Sequence, residues 1–381
     1  MKKNKKSYIL VINTGSSSVK ASLFEVGKNK EVFHTCEEKV KNYENAIKNI
    51  LGKMKKITKD LNNIKLIGHR VVHGGEKFTK PTVVTRSVLK ELEKLSGIAP
   101  LHNPANIAGI NACMKLMPKT KNIAVFDTAY FSTLSERAYL YAIPYALYEK
   151  EKIRKYGFHG TSHQYVANEA ITFLKKKNLK IISCHLGNGV SVTGSIGGKA
   201  VDTSMGFTPL EGTPMGTRSG DIDPAIIFHL GKKMSLEKIH TMLESESGLK
   251  GLSEISYDMR DLRDAYFGKN HGEKARASRA LSVYCYRIAK YIGSYVPALG
   301  GIDCIVFTAT IGEKANYIRK WICEYLAPFG TTLDMGKNKN CTDPKKITEI
   351  STAKSKVHVL VIPTHEELQI YTACKTMGLL R

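Results

Sequence analysis

Short apolar runs alternate with amphipathic stretches along the chain, and this pattern predicts an α/β protein. Runs with the length and β-branched content typical of buried strands are Tyr8–Ile12, Leu66–Val72, Ile123–Phe126, Ile181–Leu186, Val190–Ser195, Ile302–Thr308 and Val357–Ile362. The clearest helix extends from about residue 275 to 295, with apolar residues at helical spacing and Pro297 as its predicted end. Strands that alternate with helices are typical of a sheet with parallel strands.

Two glycine-rich turns interrupt this pattern in similar contexts, one in each half of the chain. The first is Asn13–Ser18, and the strand Val19–Phe24 that follows it has Lys20 near its start. The second is Gly187–Gly189, whose Asn-Gly pair predicts a type I′ hairpin because both central residues accept positive φ. Each turn alone is more often an ordinary β-turn. Their repetition favours two phosphate-handling turns, one per domain, since such turns offer backbone N–H groups to phosphate oxygens.

The length of 381 residues allows two domains, because single cores stop growing near roughly 250 residues. The repeat of the turn places the boundary near Arg154, giving domains 1–153 and 154–381, with the last residues packing back on the first domain as an open alternative. The one early apolar run is too short for a signal peptide or a membrane span, so we expect a cytoplasmic protein.

The charge of the chain indicates what kind of partner it binds, and its cysteines indicate their oxidation state. The net charge of +24 favours acidic partners, but the basic residues are spread along the chain, so no nucleic-acid-binding module is predicted. The eight cysteines form no C-x-x-C pair, which predicts reduced and mostly buried thiols. Small phosphorylated substrates would benefit from the positive field.

Candidate chemistry is concentrated in short polar segments at predicted strand ends and glycine-flanked turns, where ligand groups are usually presented. Besides the Asn13–Lys20 turn, they are GHRVVHGG at 68–75, PLHNP at 100–104, FDTA at 126–129, YGFHGTSH at 156–163 and DTSMGFTPLEGTPMGTRSGDID at 202–223. These blocks, in this order, resemble the acetate kinase family, which belongs to the superfamily of Hsp70, actin and sugar kinases. The resemblance covers residues 8 to about 225 and resumes more weakly at 251–263, 302–319 and 361–368.

The resemblance implies a duplicated, actin-like (ribonuclease H-like) α/β fold of two domains with the active site in the cleft between them. It also implies reversible transfer of a phosphoryl group from Mg-ATP to acetate, with acetyl phosphate and ADP as products, Mn²⁺ as a substitute for Mg²⁺, and a homodimeric enzyme. Acetate is an anion at pH 7, so the reaction needs no general base. The barrier is the repulsion between an anionic nucleophile and an anionic phosphoryl group, which fixed positive donors lower.

Roles for single residues follow from the matched motifs. Arg218 and His159 match transition-state stabilisers, and Asp127 matches an essential aspartate, which we interpret as orienting Arg70 or the Mg²⁺ hydration shell. Arg70 offers a planar fork to the acetate carboxylate or the phosphoryl oxygens. The pocket around the acetate methyl group corresponds to Val72, Leu101, Phe158 and Pro209. Because one methylene is worth roughly 1–3 kcal/mol in such a pocket, propionate is expected to be a poorer substrate.

Further positions match the metal and nucleotide sites of the family. Asn13 and Glu366 match the Mg²⁺-associated positions. The positions that match the ATP-phosphate region are Lys20, His185, Leu186, Gly187, Asn188 and Gly189. Those that match the remaining nucleotide contacts are Asp258, Met259, Arg260, Thr310, Ile311, Gly312, Glu313 and Lys314.

The chain departs from the family pattern at a few places. Thr310 stands where a glycine close to the nucleoside is usual, and Lys314 stands where an asparagine is usual. A side chain at position 310 adds volume beside the nucleoside, which leaves pyrophosphate open as an alternative phosphoryl donor. His365 replaces an asparagine, and Phe131 and Ser132 replace a His-Gln pair near Asp127.

Other interpretations of the same residues stay open at this stage. The His69/His73 and His159/His163 pairs have i, i+4 spacing but lack the H-E-x-x-H pattern of a zinc site, so we give zinc little weight. Propionate kinase is an alternative activity. A non-enzymatic alternative is an inactive relative that binds polyanions through its charge of +24, although Asn13 and the other matched site residues argue against it.

Overall fold

The computed structural model describes residues 6–15, 17–100 and 102–380. Its contacts separate two compact units. The first unit runs to Ser132 and also takes His159–Ser162 and the segment from His365 onward. The second unit takes Thr133–Phe158 and His163–Thr364. The chain therefore returns twice to the first unit, which a single division between residues 153 and 154 does not describe.

Each unit is built on one mixed sheet. The strands of the first sheet are β1 (Tyr8–Thr14), β2 (Ser18–Glu25), β3 (Lys30–Glu38), β4 (Ile64–Val71), β5 (Thr82–Val83) and β6 (Lys121–Phe126). Those of the second are β7 (Lys180–Leu186), β8 (Val190–Ile196), β9 (Lys199–Thr203), β10 (Cys304–Thr308), β11 (Thr348–Glu349) and β12 (His358–Val361). Every strand run predicted from the sequence has a counterpart here, while the strands at both edges of each sheet, β3 and β5 in the first and β9 and β11 in the second, were missed.

The helices occupy the segments between the strands. In chain order they are α1 (Tyr43–Thr58), α2 (Arg86–Leu95), α3 (Asn103–Leu116), α4 (Glu136–Tyr139), α5 (Tyr145–Glu151), α6 (Gly160–Leu174), α7 (Ala225–Gly231), α8 (Leu236–Thr241), α9 (Gly248–Ser253), α10 (Met259–Phe267), α11 (His271–Leu299), α12 (Ala309–Lys314), α13 (Asn316–Tyr325), α14 (Met335–Asn340) and α15 (Glu366–Thr376). Short 3₁₀ helices form at Leu61–Asn63, Asp127–Thr133 and Ala327–Phe329, and one π-helix forms at Met242–Glu246.

The two sheets have the same topology. The first has the strand order β3-β2-β1-β4-β6-β5, and the second, taken in the same sense, has the order β9-β8-β7-β10-β12-β11. In each, three antiparallel strands form a meander, two further strands run parallel to the first, and a two-residue antiparallel strand closes the edge. This repetition confirms the predicted duplicated α/β fold.

Strand β1 shows why a strand of this sheet has a continuous run of apolar residues in its sequence. Leu10 and Ile12 pack in a core cluster with α1 and α3, while Ile9 and Val11 pack in a second cluster with Ile370 and other α15 residues. Helices thus cover both faces, so every position from Tyr8 to Ile12 is apolar instead of every second one. Because this second cluster includes α15, the C-terminal helix belongs to the first unit.

Helix α11 corrects one sequence-based boundary. Its predicted apolar stripe, from Leu281 to Tyr295, is buried as expected. The helix does not end before Pro297, however, but continues to Leu299. It stops at Gly300, which has φ 65° and donates its N–H to the Pro297 carbonyl. Glycine at this left-handed position provides the end signal, and a proline in the last turn is tolerated.

Two further expectations concern the chain as a whole. All eight cysteines are free thiols, and all except Cys36 are buried, as predicted. Within the described residues, the helices lack the combination of length and apolar content that a membrane-spanning helix requires.

Two buried histidines of the first unit should make its stability depend on pH. Burial lowers the pKa of His69 to about 4, and a hydrogen bond to Asn122 only partly opposes this; burial also lowers the pKa of His73 to about 4. Both rings titrate near 6.5 when unfolded, so their contribution to stability is lost as the pH falls from 6.5 toward 4. We expect the unfolding free energy to fall by about 2 kcal/mol per histidine between pH 7 and pH 5.

Urea unfolding at several pH values measures this effect. His69→Gln should remove about 2 kcal/mol of the fall in unfolding free energy between pH 7 and pH 5, and His229→Gln is the matched control because His229 is exposed in the folded chain. An unchanged pH dependence in His69→Gln would show that His69 is not a source of the acid sensitivity.

Candidate active site

The carboxyl ends of the parallel strands of the first unit bring together residues from distant parts of the sequence. Strands β1, β4 and β6 run parallel, with Ile12 opposite His69 and Arg70 opposite Val125. Asn13 lies at the end of β1, Arg70 at the end of β4, and Asp127 directly after β6. Ligands of α/β sheets bind at such carboxyl edges. Three residues singled out by sequence motifs are therefore neighbours at one edge.

A bidentate ion pair joins Arg70 to Asp127. Arg70 Nε donates to Asp127 Oδ1 at 3.1 Å, and Arg70 Nη2 donates to Oδ2 at 2.5 Å. Asp127 is fully buried, and the Thr161 hydroxyl donates a further hydrogen bond to its Oδ1 at 3.0 Å. Burial lowers the pKa of Arg70, but the carboxylates of Asp127 and Glu366 outweigh burial and raise it overall. This arrangement supports the interpretation that Asp127 orients Arg70.

The segment around His159 is shaped to fit closely against Asp127. A Cβ atom at Gly160 would lie 1.8 Å from the Asp127 carbonyl oxygen, so only glycine fits there. His159, immediately before it, has φ 57°, a left-handed conformation that few residues other than glycine adopt. Such strain persists only where surrounding structure holds it, and it is typical of functional sites.

Two residues near Asp127, Phe131 and Ser132, depart from the family pattern. Phe131 is buried and Ser132 is exposed.

Two oxygen-bearing side chains lie beside Arg70 and fit a magnesium site. Asn13 Oδ1 lies 3.5 Å from Arg70 Nη1, and Glu366 Oε2 lies 3.6 Å from Arg70 Nε. Burial raises the pKa of Glu366, and neighbouring carboxylates add to this despite Arg70 and Lys20, which lower it. A cation bound beside Glu366 would oppose this rise in pKa, as Arg70 and Lys20 already do. Oxygen ligands are those that Mg²⁺ prefers, together with water and substrate phosphates.

The equivalent edge of the second unit holds five of the six predicted ATP-phosphate residues, while the sixth, Lys20, lies on β2 of the first unit. His185 and Leu186 end β7, and His185 lies opposite Thr308 at the end of β10. Gly187 donates its N–H to the Gly189 carbonyl at 3.1 Å. The hairpin is therefore present, but the predicted type I′ geometry is wrong. A three-residue loop connects the strands, and none of its residues has a positive φ.

Helix α12 contains the predicted adenosine-side segment, Thr310 to Lys314. It begins at Ala309, which has φ 63° and is buried beside the Gly187 turn. Glu313 Oε1 accepts a hydrogen bond from the Thr364 N–H at 3.0 Å. The two departures both point outward: Thr310 is exposed, and Lys314 forms an exposed ion pair of 3.3 Å with Asp343. Ile311 is half-buried and Gly312 is buried.

The remaining nucleotide candidates lie at the start of α10. Asp258 caps this helix by accepting from the Arg260 N–H at 2.8 Å, and its carboxylate also pairs with the Arg260 side chain. Met259 is buried and its carbonyl accepts from Tyr317. In the described structure no hydrogen bond or ion pair joins these three residues to α12.

Arg218 lies in a loop that packs against the Gly187 turn. Gly216 donates its N–H to the Asn188 carbonyl at 3.0 Å, and a Cβ atom at Gly216 would lie 2.1 Å from Asn188 Oδ1. The guanidinium of Arg218 donates through Nε to Glu244 Oε2 at 2.9 Å. The second unit therefore gathers the Gly187 turn, the start of α12 and the Arg218 loop within one region.

The acyl-pocket candidates divide between the two units. Phe158 and Pro209 belong to the second unit, and their segments are joined because Tyr156 and Gly157 both donate to the Gly206 carbonyl. Val72 belongs to the first unit, where its N–H donates to Asn106 Oδ1 at 3.0 Å. Leu101 lies outside the described residues.

Sequence motifs did not identify several residues that hold these groups in place. Thr161 was quoted only as part of a motif, although it contacts Asp127. Glu211 accepts hydrogen bonds from Tyr141 and Lys155 and so braces the loop that carries Pro209. Glu244 contacts Arg218. The position of Thr161 in the motif, two residues after His159, could have indicated a role in the site. No local sequence signal indicates such a role for Glu244.

One histidine of each pair considered for zinc makes hydrogen bonds to other protein side chains. His69 Nε2 contacts Asn122 Oδ1 at 2.7 Å, and the two ring nitrogens of His163 contact the hydroxyls of Ser183 and Ser191, each at 2.7 Å. Burial lowers the pKa of His163 far below its ordinary value, so the ring is neutral at pH 7. The rings of His69 and His163 therefore act as hydrogen-bonding groups within the two units.

Comparisons with known proteins agree with the motifs. The model of the acetokinase family matches residues 27–372. The chain is 48% identical to the acetate kinase of Thermotoga maritima, across 95% of this chain and 96% of that protein. It superposes on the crystal structure of Porphyromonas gingivalis acetate kinase with a TM-score of 0.90 at 38% identity, covering 98% of this chain and 100% of the other.

A crystal structure described as a propionate kinase from Francisella tularensis matches nearly as well. Its TM-score is 0.89 at 38% identity, and the match covers 96% of this chain and 98% of the other. The family recognised from the motifs is confirmed: this chain belongs to the acetokinase family.

Proposed function

We propose that this chain is an acetate kinase that reversibly transfers the γ-phosphoryl group of ATP to acetate, forming acetyl phosphate and ADP. The observation that carries the proposal is the buried pair of Arg70 and Asp127 at the carboxyl edge of the first unit. It provides a fixed cation without supplying an accessible base, which is what the transfer of a phosphoryl group to an anion requires.

Arg70 is oriented before any substrate binds. Asp127 accepts hydrogen bonds from two different nitrogens of its guanidinium, which fixes the plane of the fork. The guanidinium has further N–H donors on Nη1 and Nη2 for a carboxylate or phosphoryl oxygen. A donor that is already in place when negative charge develops needs no reorganisation at that moment, so it stabilises the transition state more than a mobile donor would.

His159 and Arg218 are assigned the stabilisation of the transferring phosphoryl group. His159 has a strained φ of 57° and precedes Gly160, whose close approach to Asp127 fixes the start of α6. Arg218 is held through Nε by Glu244. Both side chains offer N–H donors to the equatorial oxygens, which share the charge that develops during transfer.

Asn13 and Glu366 would hold Mg²⁺, with Mn²⁺ as a substitute. The ion would neutralise charge on the phosphate oxygens of ATP. Lys20, opposite Asn13 across the β1–β2 hairpin, is assigned to the ATP phosphates. On the second unit, the loop at Gly187–Gly189 and the residues of β7 before it, His185 and Leu186, are assigned to the same phosphates.

The adenosine side is assigned to α12, with Asp258–Arg260 as an additional nucleotide contact. Thr310 is exposed on this helix and does not fill a protein cavity. ATP is favoured over pyrophosphate as the donor, because threonine is a small side chain and the Asp258–Arg260 nucleotide segment is retained.

Propionate kinase is the second candidate activity. It is favoured by the match to the structure described as a propionate kinase, whose TM-score is 0.89. The acyl pocket is assigned to Val72, Leu101, Phe158 and Pro209. A small apolar pocket separates acetate from propionate by only roughly 1–3 kcal/mol, because the two differ by one methylene.

The assembly and location of the enzyme are also proposals. A homodimer is proposed because the acetate kinase family resemblance implies one. A cytoplasmic location is proposed from the free thiols, since buried reduced cysteines without disulfides are typical of a reducing compartment.

Formation of acyl phosphate tests the proposed activity directly. The chain is incubated with acetate and Mg-ATP, and separately with Mg-pyrophosphate, and acetyl phosphate is trapped as the hydroxamate. We expect product with ATP at a turnover of about 1–100 per second, the usual range for kinases. Product with pyrophosphate alone would identify a different donor. No product with either donor, from acetate or propionate, would overturn the proposed function.

Asp127→Asn tests whether this residue orients Arg70 or removes a proton. The amide lacks the charge and the second acceptor oxygen, so we expect kcat to fall by about 10²–10³-fold. The wild-type kcat should not fall through protonation of a catalytic base between about pH 6 and 9, because acetate has no proton to lose. The matched control is Asp60→Asn in the same unit, where asparagine also caps a helix. Near-normal turnover of Asp127→Asn would show that phosphoryl transfer does not require the Arg70–Asp127 ion pair.

Thr310→Gly tests the effect of the extra side chain on nucleotide binding. We expect the KM for ATP to fall by about threefold, roughly 0.6 kcal/mol, because the change removes volume beside the proposed nucleoside site. The KM for acetate should stay unchanged. Thr310→Ala, which keeps Cβ and favours the helix, serves as the comparison. An unchanged or higher KM for ATP in Thr310→Gly would show that Thr310 does not crowd the nucleotide.

A further inference from the structure

Glu244 has no role in the proposed reaction, yet it contacts the proposed catalytic residue Arg218. Arg218 Nε donates to Glu244 Oε2 at 2.9 Å, and the two side chains are only 21% and 13% exposed. Arg218 Nη1 lies 3.7 Å from Met215 Sδ. Within the described part of the chain, Nη2 has no hydrogen-bond partner. The protein thus holds the guanidinium by its Nε side and leaves Nη2 to a ligand.

The segment that carries Glu244 is a π-helix, Met242–Glu246, which continues α8. A π-helix contains an extra residue per turn, is rare, and occurs frequently at functional sites. Within this turn Glu244 is mostly buried, whereas Glu246, two residues later, is exposed. The local geometry therefore directs one of two nearby carboxylates toward Arg218.

Main-chain contacts hold the Arg218 loop without help from the Glu244 carboxylate. Ser219 donates its N–H to the Leu243 carbonyl at 3.0 Å, and Ser247 donates its N–H to the Thr217 carbonyl at 2.9 Å. The Thr217 hydroxyl donates to the Glu244 carbonyl at 2.9 Å. Because these bonds use backbone atoms, they survive truncation of the Glu244 side chain. The carboxylate acts on the Arg218 side chain alone.

We propose that Glu244 is a positioning residue for Arg218 in phosphoryl transfer. It fixes the guanidinium through Nε, so that the Nη groups are oriented before the phosphoryl group arrives. This inference rests on the proposed function, in which Arg218 stabilises the transferring group. An arginine side chain has several freely rotating bonds, and a misplaced donor loses much of its effect on a transition state. Holding Nε restricts that freedom while leaving Nη2 without a partner among the described residues.

A double-mutant cycle tests this role. Glu244→Ala should lower kcat by about 10- to 100-fold while the KM values for ATP and acetate change by less than about twofold, because the lost interaction matters only in the transition state. In the Arg218→Ala background, the same change should cost nothing further, because Glu244 acts through Arg218. Glu244→Gln keeps an oxygen that accepts from Nε and should recover most of the activity.

Glu246→Ala is the matched control, since it removes an exposed carboxylate from the same π-helix. Thermal unfolding of every variant is measured alongside. The proposal is overturned if Glu244→Ala is as active as the wild type, if it raises kcat, which would indicate a latch that holds Arg218 back, or if its loss adds to that of Arg218→Ala. Near-normal activity of Arg218→Ala alone would instead count against the proposed function.

Discussion

The ion pair between Arg70 and Asp127 is the interaction on which the site of the first unit depends. A fully buried carboxylate is costly unless a cation and hydrogen-bond donors compensate it, and Asp127 has both, in Arg70 and Thr161. The pair fixes the guanidinium at the end of β4. Gly160 then has to lack a side chain so that its segment can approach the Asp127 carbonyl. The position of His159, which precedes Gly160, follows from this contact.

The same sheet topology supports different chemistry in the two units. At the carboxyl edge of the first sheet, the strand ends carry charged and amide side chains such as Arg70 and Asn13. At the equivalent edge of the second sheet, the strands lead into a glycine loop and a short helix that begins at Ala309. Backbone groups are exposed where side chains are small, whereas side chains project where strand ends are polar. Duplication of the fold therefore provides two edges, and the residues at each edge determine its proposed role.

Two arginines with related proposed roles are held in different ways. Asp127 accepts from both Nε and Nη2 of Arg70, so the guanidinium is fixed as a plane. Glu244 accepts only from Nε of Arg218, so Nη2 stays available, while Nη1 contacts Met215 Sδ. A bidentate partner gives rigidity and uses more of the donors, while a single acceptor gives less rigidity and leaves more of them. The guanidinium of Arg70 is therefore fixed in place, whereas that of Arg218 presents Nη2 to a proposed ligand.

The sequence by itself determined the inner strands of both sheets, the duplicated α/β fold and the family, because apolar periodicity and motifs are local and can be recognised without knowledge of spatial neighbours. It also identified Arg70, Asp127 and Glu366, which the first unit brings together. Only the tertiary structure decided that α15 belongs to the first unit, that the Gly187 loop avoids positive φ, and that α11 continues through Pro297. It alone assigned Glu244 to Arg218. Those outcomes depend on packing between residues far apart in the chain, and local pattern records that a residue is buried but not which residue it contacts.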